Sequence, residues 1–349
     1  MSLYNIHKSI FMALGNRARA EKATQLMRAP LRFIKATYSE SDRSSASEGT
    51  FRPPHFSAVE EFCDRLSQEV ESHDSETVFV VYAGSSSKSA LMHACMMVGA
   101  YLLLRRGLDL NAVLHVFRPF QDAIEALHTD ASQGQQEAVT VADCWGALAQ
   151  ALRLGWLAVP PSDAEPLLDA EEFAHYAHPA NGGVHMLAPG SLYLFPTPAD
   201  LEGGRAWADG GSGARRFSPA FCADLLADLG ASAVLFLDAP PPSAARAFAA
   251  RAVSPGAGAG GAPPSPLAAL DRLLSAAAAG GAGGRGGAVA VAAAGLGGGA
   301  GGGGGPAWMG ALATAFLVSR HGFSVGAAAG WARMLCPCMF DGAGAAPPR

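Results

Sequence analysis

The chain has 349 residues, half of them hydrophobic and 16% charged, enough for two domains that each bury a core. Its net charge of −5 includes no basic stripe beyond the N-terminal segment, which excludes a general nucleic-acid binder. The six cysteines, Cys63, Cys95, Cys144, Cys222, Cys336 and Cys338, lie mostly inside apolar runs, the pattern of reduced buried thiols rather than of a disulfide framework.

Residues 8–35 carry seven Lys or Arg against one acid, Glu21, and have an amphipathic pattern. Three readings stay open: a plain surface helix, a docking helix for an acidic partner, or a mitochondrial transit peptide. The opening residues lack the apolar core of a secretory signal. SESDRSSASEGT and then Pro53 and Pro54 follow, so residues 1–50 are expected to be an extension and a flexible join ahead of the first compact region.

From 51 to 185 the pattern predicts a helix over Ala58–Glu71, a strand over Thr77–Gly84 and an apolar helix over Lys88–Arg106. Helices over Asp109–Glu125 and Ala138–Trp156 come next. Lys88–Arg106 approaches membrane-span length, but it follows a strand at once and contains Ser89 and His93, so a buried core helix is expected. The turn before it, GSSSKS, lacks the glycine directly before the lysine that a phosphate-cradling loop needs. From 186 to 345 a second α/β pattern begins, with strands over Leu192–Phe195, Ser232–Leu237 and Ala288–Val291. Helices are expected over Ala220–Leu229, Pro266–Leu274, Trp308–Arg320 and Val325–Leu335. Two tracts, 254–266 and 276–305, are nearly all Gly, Ala and Pro and are expected to be flexible insertions, because they bury too little to offset ordering entropy.

A strand, a glycine-rich loop and a helix N-terminus make a good anion trap, since backbone N–H groups and the helix dipole converge on the loop. That order occurs at GAVAVAAAGLGGG, Gly287–Gly299, followed by a helix. These residues resemble the catalytic stretch of the Cdc-fourteen (cell-division-cycle fourteen) dual-specificity phosphatases, which reads approximately GAIAVHCKAGLGRTG. LVSRHGFSVGAAAGWARMLCP, VYAGSSSKSALMHACMMVGAYLLL, ADCWGALAQALRLGW and EFAHYAHPANGG resemble further segments of the same family, in one collinear order from about 75 to 340. The resemblance implies two tandem α/β dual-specificity-phosphatase-like domains, 51–185 non-catalytic and 186–345 catalytic in origin.

The departures from that family bear on chemistry. Its mechanism uses a thiolate nucleophile, an arginine on the phosphoryl oxygens and a carboxylic acid for the leaving group. Here the cysteine position falls on Ala292 when Gly295 and Gly297 anchor the match, and on Ala293 when the strand does; Gly298 stands where the arginine would be. The general-acid loop corresponds to GAGAGGAPPSP, Gly256–Pro266, which holds no carboxylate. Three acidic-groove positions implied by the resemblance become Ala174, Ala177 and Gly183, while Glu172 and Asn181 keep the family's residue types. Cys336 and Cys338 match a packing segment and are expected to be structural thiols; separated by Pro337 alone, they are too close for a zinc-ribbon pair. His321 is expected to be a surface helix-end histidine, and Trp156, Trp308 and Trp331 core or interface residues. The expectation is therefore a catalytically inactive pseudophosphatase with no cofactor and no metal, binding protein partners in a larger assembly. By resemblance the assembly is cytoskeletal or ciliary and microtubule-associated, in the cytoplasm. A phospho-Ser-Pro peptide trap is the alternative, and an active phosphatase the third reading.

Overall fold

A computed structural model of the chain describes residues 3–36, 51–125, 139–162, 165–210, 215–237, 240–248, 252–253, 268, 270–275, 287–293, 296 and 305–339. It is a mixed α/β protein with two compact units. One unit comprises Met1–Pro166 and Phe323–Met334, the other Leu167–Gly322 and Leu335–Pro347. No helix among the described residues is long and apolar enough to cross a membrane.

In the first unit β1 (Leu3–His7) and β2 (Ile10–Ala13) form an antiparallel hairpin, and helix α1 (Arg17–Ala23) leads on to β3 (Leu31–Lys35). β2 and β3 flank β4 (Val78–Tyr82), both parallel to it, giving the order β1-β2-β4-β3. The N-terminal segment is thus not an extension. Its buried residues include Ile6, Ile10, Met12 and Ile34, which recur at the two-residue period of a strand, and the seven cations are shared among strands, turns and the short α1.

The helices expected between 56 and 156 are present as α2 (Phe56–Glu71), α3 (Lys88–Leu104), α4 (Leu110–Val116), α5 (Gln121–Ile124) and α6 (Val141–Arg153). A 3-10 turn, Arg118–Phe120, separates α4 from α5, because Pro119 has no N–H to continue the ladder. α3 is apolar on every side because β4, α2, α4, α5 and α6 all pack around it. At its start Ser87 accepts from the Ala90 N–H as N-cap. α6 begins with a capping box: Asp143 accepts from the Thr140 N–H at 2.9 Å and from its hydroxyl at 2.7 Å.

Helix α11 (Val325–Leu335) was expected in the second domain, yet residues 323–334 group with the first unit. Trp331 accounts for much of this, its ring 5.9 Å from Phe56, 5.8 Å from Trp156 and 6.3 Å from Phe323. Close approach needs two glycines one turn apart. A Cβ at Gly326 would lie 2.0 Å from Asp143 Oδ1, and one at Gly330 would lie 3.3 Å from the Cys144 backbone. Gly326→Ala is therefore expected to push the Asp143 carboxylate out of its capping box and cost about 1–2 kcal/mol. Asp143→Ala should remove most of that penalty in the double variant, which thermal unfolding of the full chain would read.

The second unit holds a five-stranded sheet in the order β10-β9-β11-β6-β5. Its strands are β5 (His185–Ala188), β6 (Leu192–Pro196), β9 (Ala231–Phe236), β10 (Ala252–Val253) and β11 (Ala288–Ala293), all parallel to their neighbours except β5. Helices α7 (Ala170–Ala177), α8 (Pro219–Asp228), α9 (Ala244–Ala247) and α10 (Gly305–His321) accompany it. A separate ribbon, β7 (Trp207–Asp209) with β8 (Arg215–Phe217), precedes α8. Phe195, Phe217, Phe236 and Phe248 anchor the core on the face that also receives Ala290 and Ala292. Of the Gly/Ala/Pro tracts, 254–266 lies outside the described residues, as does 276–305 apart from 287–293, 296 and 305.

Candidate functional site

In an open parallel sheet the carboxyl ends of central strands are where ligands and catalytic loops sit. β11 is such a strand, paired with β9 on one side and β6 on the other, and all six of its residues are buried. Alternating Ala and Val produce it: small residues fit between two neighbouring strands, and Val holds the extended backbone. The pairing persists to the last residue, where the Leu237 N–H donates to the Ala292 carbonyl at 3.0 Å and the Thr197 N–H to the Ala293 carbonyl at 3.2 Å.

Both positions that the sequence resemblance would give to a nucleophile are therefore at the end of β11. Ala292 is 0% exposed, in the core cluster with Phe195 and Phe236, and Ala293 is 1% exposed. A methyl group carries no lone pair to attack phosphorus. Gly295, Gly297 and Gly298 lie outside the described residues, as does Gly256–Pro266; Leu296, between them, is buried. Thr197, at the matching end of β6, was not singled out by sequence; its Oγ1 is buried with no hydrogen-bond partner among the described residues. The signal was its place directly after a buried strand whose Pro196 pairs with Ala293.

The groove positions lie elsewhere in the same unit. Ala174 is half-buried and Ala177 8% exposed on α7, whose first turn carries Glu171 and Glu172 and whose N-cap is Asp169. Gly183 has φ +62°, and a Cβ there would lie 3.1 Å from the Pro196 side chain, so its backbone suits glycine. Asn181 Nδ2 donates to the His175 carbonyl at 3.1 Å, tying the α7 exit to the helix.

Asp271 is taken up by an ion pair with Arg320 at 2.9 Å. His321, half-buried at the end of α10, is held below the usual histidine range by burial and then by Arg320. Burial pushes the Cys63, Cys95 and Cys144 thiols well above their ordinary range and Cys222 up to about 12, so none is a thiolate at neutral pH. Cys336 is fully buried, and the side chains of Cys338 and Trp308 lie outside the described residues. No group of three or more His, Cys, Asp or Glu that could hold a metal occurs among the described residues. The GSSSKS turn is tied to the segment around α1 as well as internally: the Gly84 N–H donates to the Gly15 carbonyl, Arg19 donates to Ser86, and the Ser85 and Ser87 hydroxyls share a hydrogen bond. A cavity of about 320 Å³ lies between α8, β9 and α9, lined by apolar residues such as Leu226, Val234 and Phe248, and by Asp224.

The chain matches no protein-family model and gives no significant match to a curated protein.

Proposed function

We propose that this chain is a catalytically silent relative of the Cdc-fourteen dual-specificity phosphatases, built from two tandem phosphatase-like units, and that it works as a scaffolding subunit of a protein assembly. One observation carries the reading: the central parallel strand β11 ends in Ala292 and Ala293, two buried methyl side chains where the thiolate mechanism requires sulfur. The collinear sequence resemblance supports the family; each unit is mixed α/β, with parallel central strands and an antiparallel edge pair in its larger sheet. Core packing does not depend on the loop's side chains, so such a fold outlives its chemistry. Binding then becomes the function, and by resemblance the assembly is microtubule-based, such as a cilium.

The full chain is expected to release no p-nitrophenol from p-nitrophenyl phosphate above the buffer rate across the mildly acidic to neutral range. Turnover above that background would overturn the reading. Titration with a phospho-Ser-Pro peptide is expected to show no saturable binding, because the charged bidentate contact of an arginine is missing at Gly298. Saturable binding lost on dephosphorylating the peptide would replace the scaffold with a phosphopeptide trap.

A further inference from the structure

The two faces of the first unit's sheet are unequally covered. On one, Ile10, Met12, Ile34, Phe79 and Val81 are each at most 6% exposed, and His73, just beyond α2, meets the Phe79 ring edge-on at 6.0 Å. On the other, the parallel register places Leu31 beside Val78, Phe33 beside Val80 and Ala13 beside Tyr82. There Ala13, Val80 and Ala20 of α1 are buried, while Leu3, Leu31, Phe33, Val78 and Tyr82 are only partly so. Among the described residues α1 rests on β2, β3 and β4, but at seven residues it spans two turns, too short to cover that row by itself.

Charge surrounds this half-covered strip. The Arg17 guanidinium lies 5.7 Å over the Phe33 ring; its Nε donates to Glu21 at 2.9 Å, and its side chain stays 63% exposed, leaving the other guanidinium nitrogens for a second carboxylate. Lys22 and Arg28 are exposed, and Lys35 shares the face by its pairing with Tyr82. Leu26, in the connection from α1 to β3, is 97% exposed. The segment carries seven cations against one acid in a chain whose net charge is −5, so the positive charge is concentrated here.

We propose that this face is a docking groove for an acidic amphipathic helix of a partner protein. A helix laid beside α1 would bury Leu31, Phe33 and Val78 under its apolar stripe and set its acidic flank against Arg17, Lys22 and Arg28. A lipid surface fits less well: interfacial binding needs apolar side chains that penetrate about 5–10 Å, and the strip residues are partly buried while only Leu26, in the connection after α1, is an exposed large apolar side chain of this segment. The choice of a protein partner rests on the binding role proposed above; the groove itself does not depend on whether β11 is catalytic.

The test uses the full chain and a fluorescent Leu/Glu peptide of about five helical turns with Leu at helical spacing. Its controls are a scrambled peptide of the same composition and phosphatidylcholine/phosphatidylserine vesicles. Saturable binding that weakens with salt, falls about tenfold or more in Arg17→Glu/Lys22→Glu/Arg28→Glu, and protects residues 3–35 from hydrogen exchange would support the groove. An unchanged melting temperature checks the fold of the triple variant, and Leu26→Ser should weaken binding without changing its salt dependence. Four results would overturn it: no binding, equal binding of the scrambled peptide, binding of vesicles but not peptide, or a self-associated chain that the triple variant makes monomeric in light scattering. Aryl phosphate turnover would sink the silent-phosphatase reading and leave this outcome untouched.

Discussion

Arg105→Ala is expected to destabilise the first unit by about 3–5 kcal/mol at neutral pH, a loss larger than any surface ion pair would explain. Arg105 caps the end of α3 and hydrogen-bonds to Glu60 and, at 2.7 Å, to Asp64, both on α2. The Arg105 and Glu60 side chains are only 12% and 14% exposed, whereas Asp64 is 58% exposed and can turn to water. Burial already holds the Glu60 carboxyl above the usual carboxylate range, with the Arg105 charge opposing that shift. Removing the guanidinium takes away the opposing effect and leaves Glu60 buried without its partner. The sign of the pH dependence follows. A carboxyl whose folded pKa exceeds its unfolded value contributes stability that is full below the unfolded pKa and is lost as pH rises through the folded one. The deficit of Arg105→Ala relative to the parent should therefore shrink on acidification from neutral towards the ordinary carboxylate range. Glu60→Gln in the same background should recover much of it at neutral pH. Urea unfolding or hydrogen exchange of α2 and α3 reads both; a deficit independent of pH and unrelieved by Glu60→Gln would show that lost packing, not an unpaired charge, sets the cost.

What the sequence disclosed depended on whether a segment's partners were local. Val78–Leu104 could be read as a strand and a buried helix because a five-residue β-rich run, a serine N-cap and an uninterrupted apolar helix are all short-range signals. The AVAVAA strand was legible for the same reason, and with it the absence of sulfur at Ala292 and Ala293. The N-terminal hairpin was not. β2 has only four residues, and the cations Arg17, Arg28, Arg32 and Lys35 fall on one side of a helical wheel and so imitate one face of a helix. Nothing local says that Ile10 and Met12 will be buried beside Phe79 and Val81 in the sheet's shared interior. Likewise α11 looked like a closing element of the second domain because it follows α10 at once. Its placement rests on Gly326 and Gly330, which weaken a helix by propensity and acquire a purpose only once α6 is known to lie against them.

Gly99 presents the same contrast more sharply, and Gly99→Ala is expected to be among the most damaging single-methyl changes in the chain. By propensity alone alanine in the middle of α3 should stabilise the helix by about 1 kcal/mol. The structure reverses the sign. A Cβ at Gly99 would stand 2.2 Å from Trp145 Cε2 and 2.3 Å from Cζ2, deep inside van der Waals contact. The indole cannot simply swing aside: Trp145 is fully buried, its Nε1–H donates to the Met96 carbonyl at 3.2 Å, and its ring packs 4.9 Å from Phe117. Relief needs α3 and α6 to separate or the indole to give up that hydrogen bond, and either opens contacts across the centre of the helical layer. A net loss of about 3 kcal/mol is expected after the propensity gain is counted. A smaller ring should reverse it: Trp145→Phe alone loses packing and the Nε1 hydrogen bond, yet in combination with Gly99→Ala it should cost less than the sum of the two single changes. Chemical unfolding of the four proteins in this cycle measures that coupling. Additive costs would mean that Gly99 acts through backbone freedom and not by making room for Trp145, and the account of how α3 meets α6 would have to change with it.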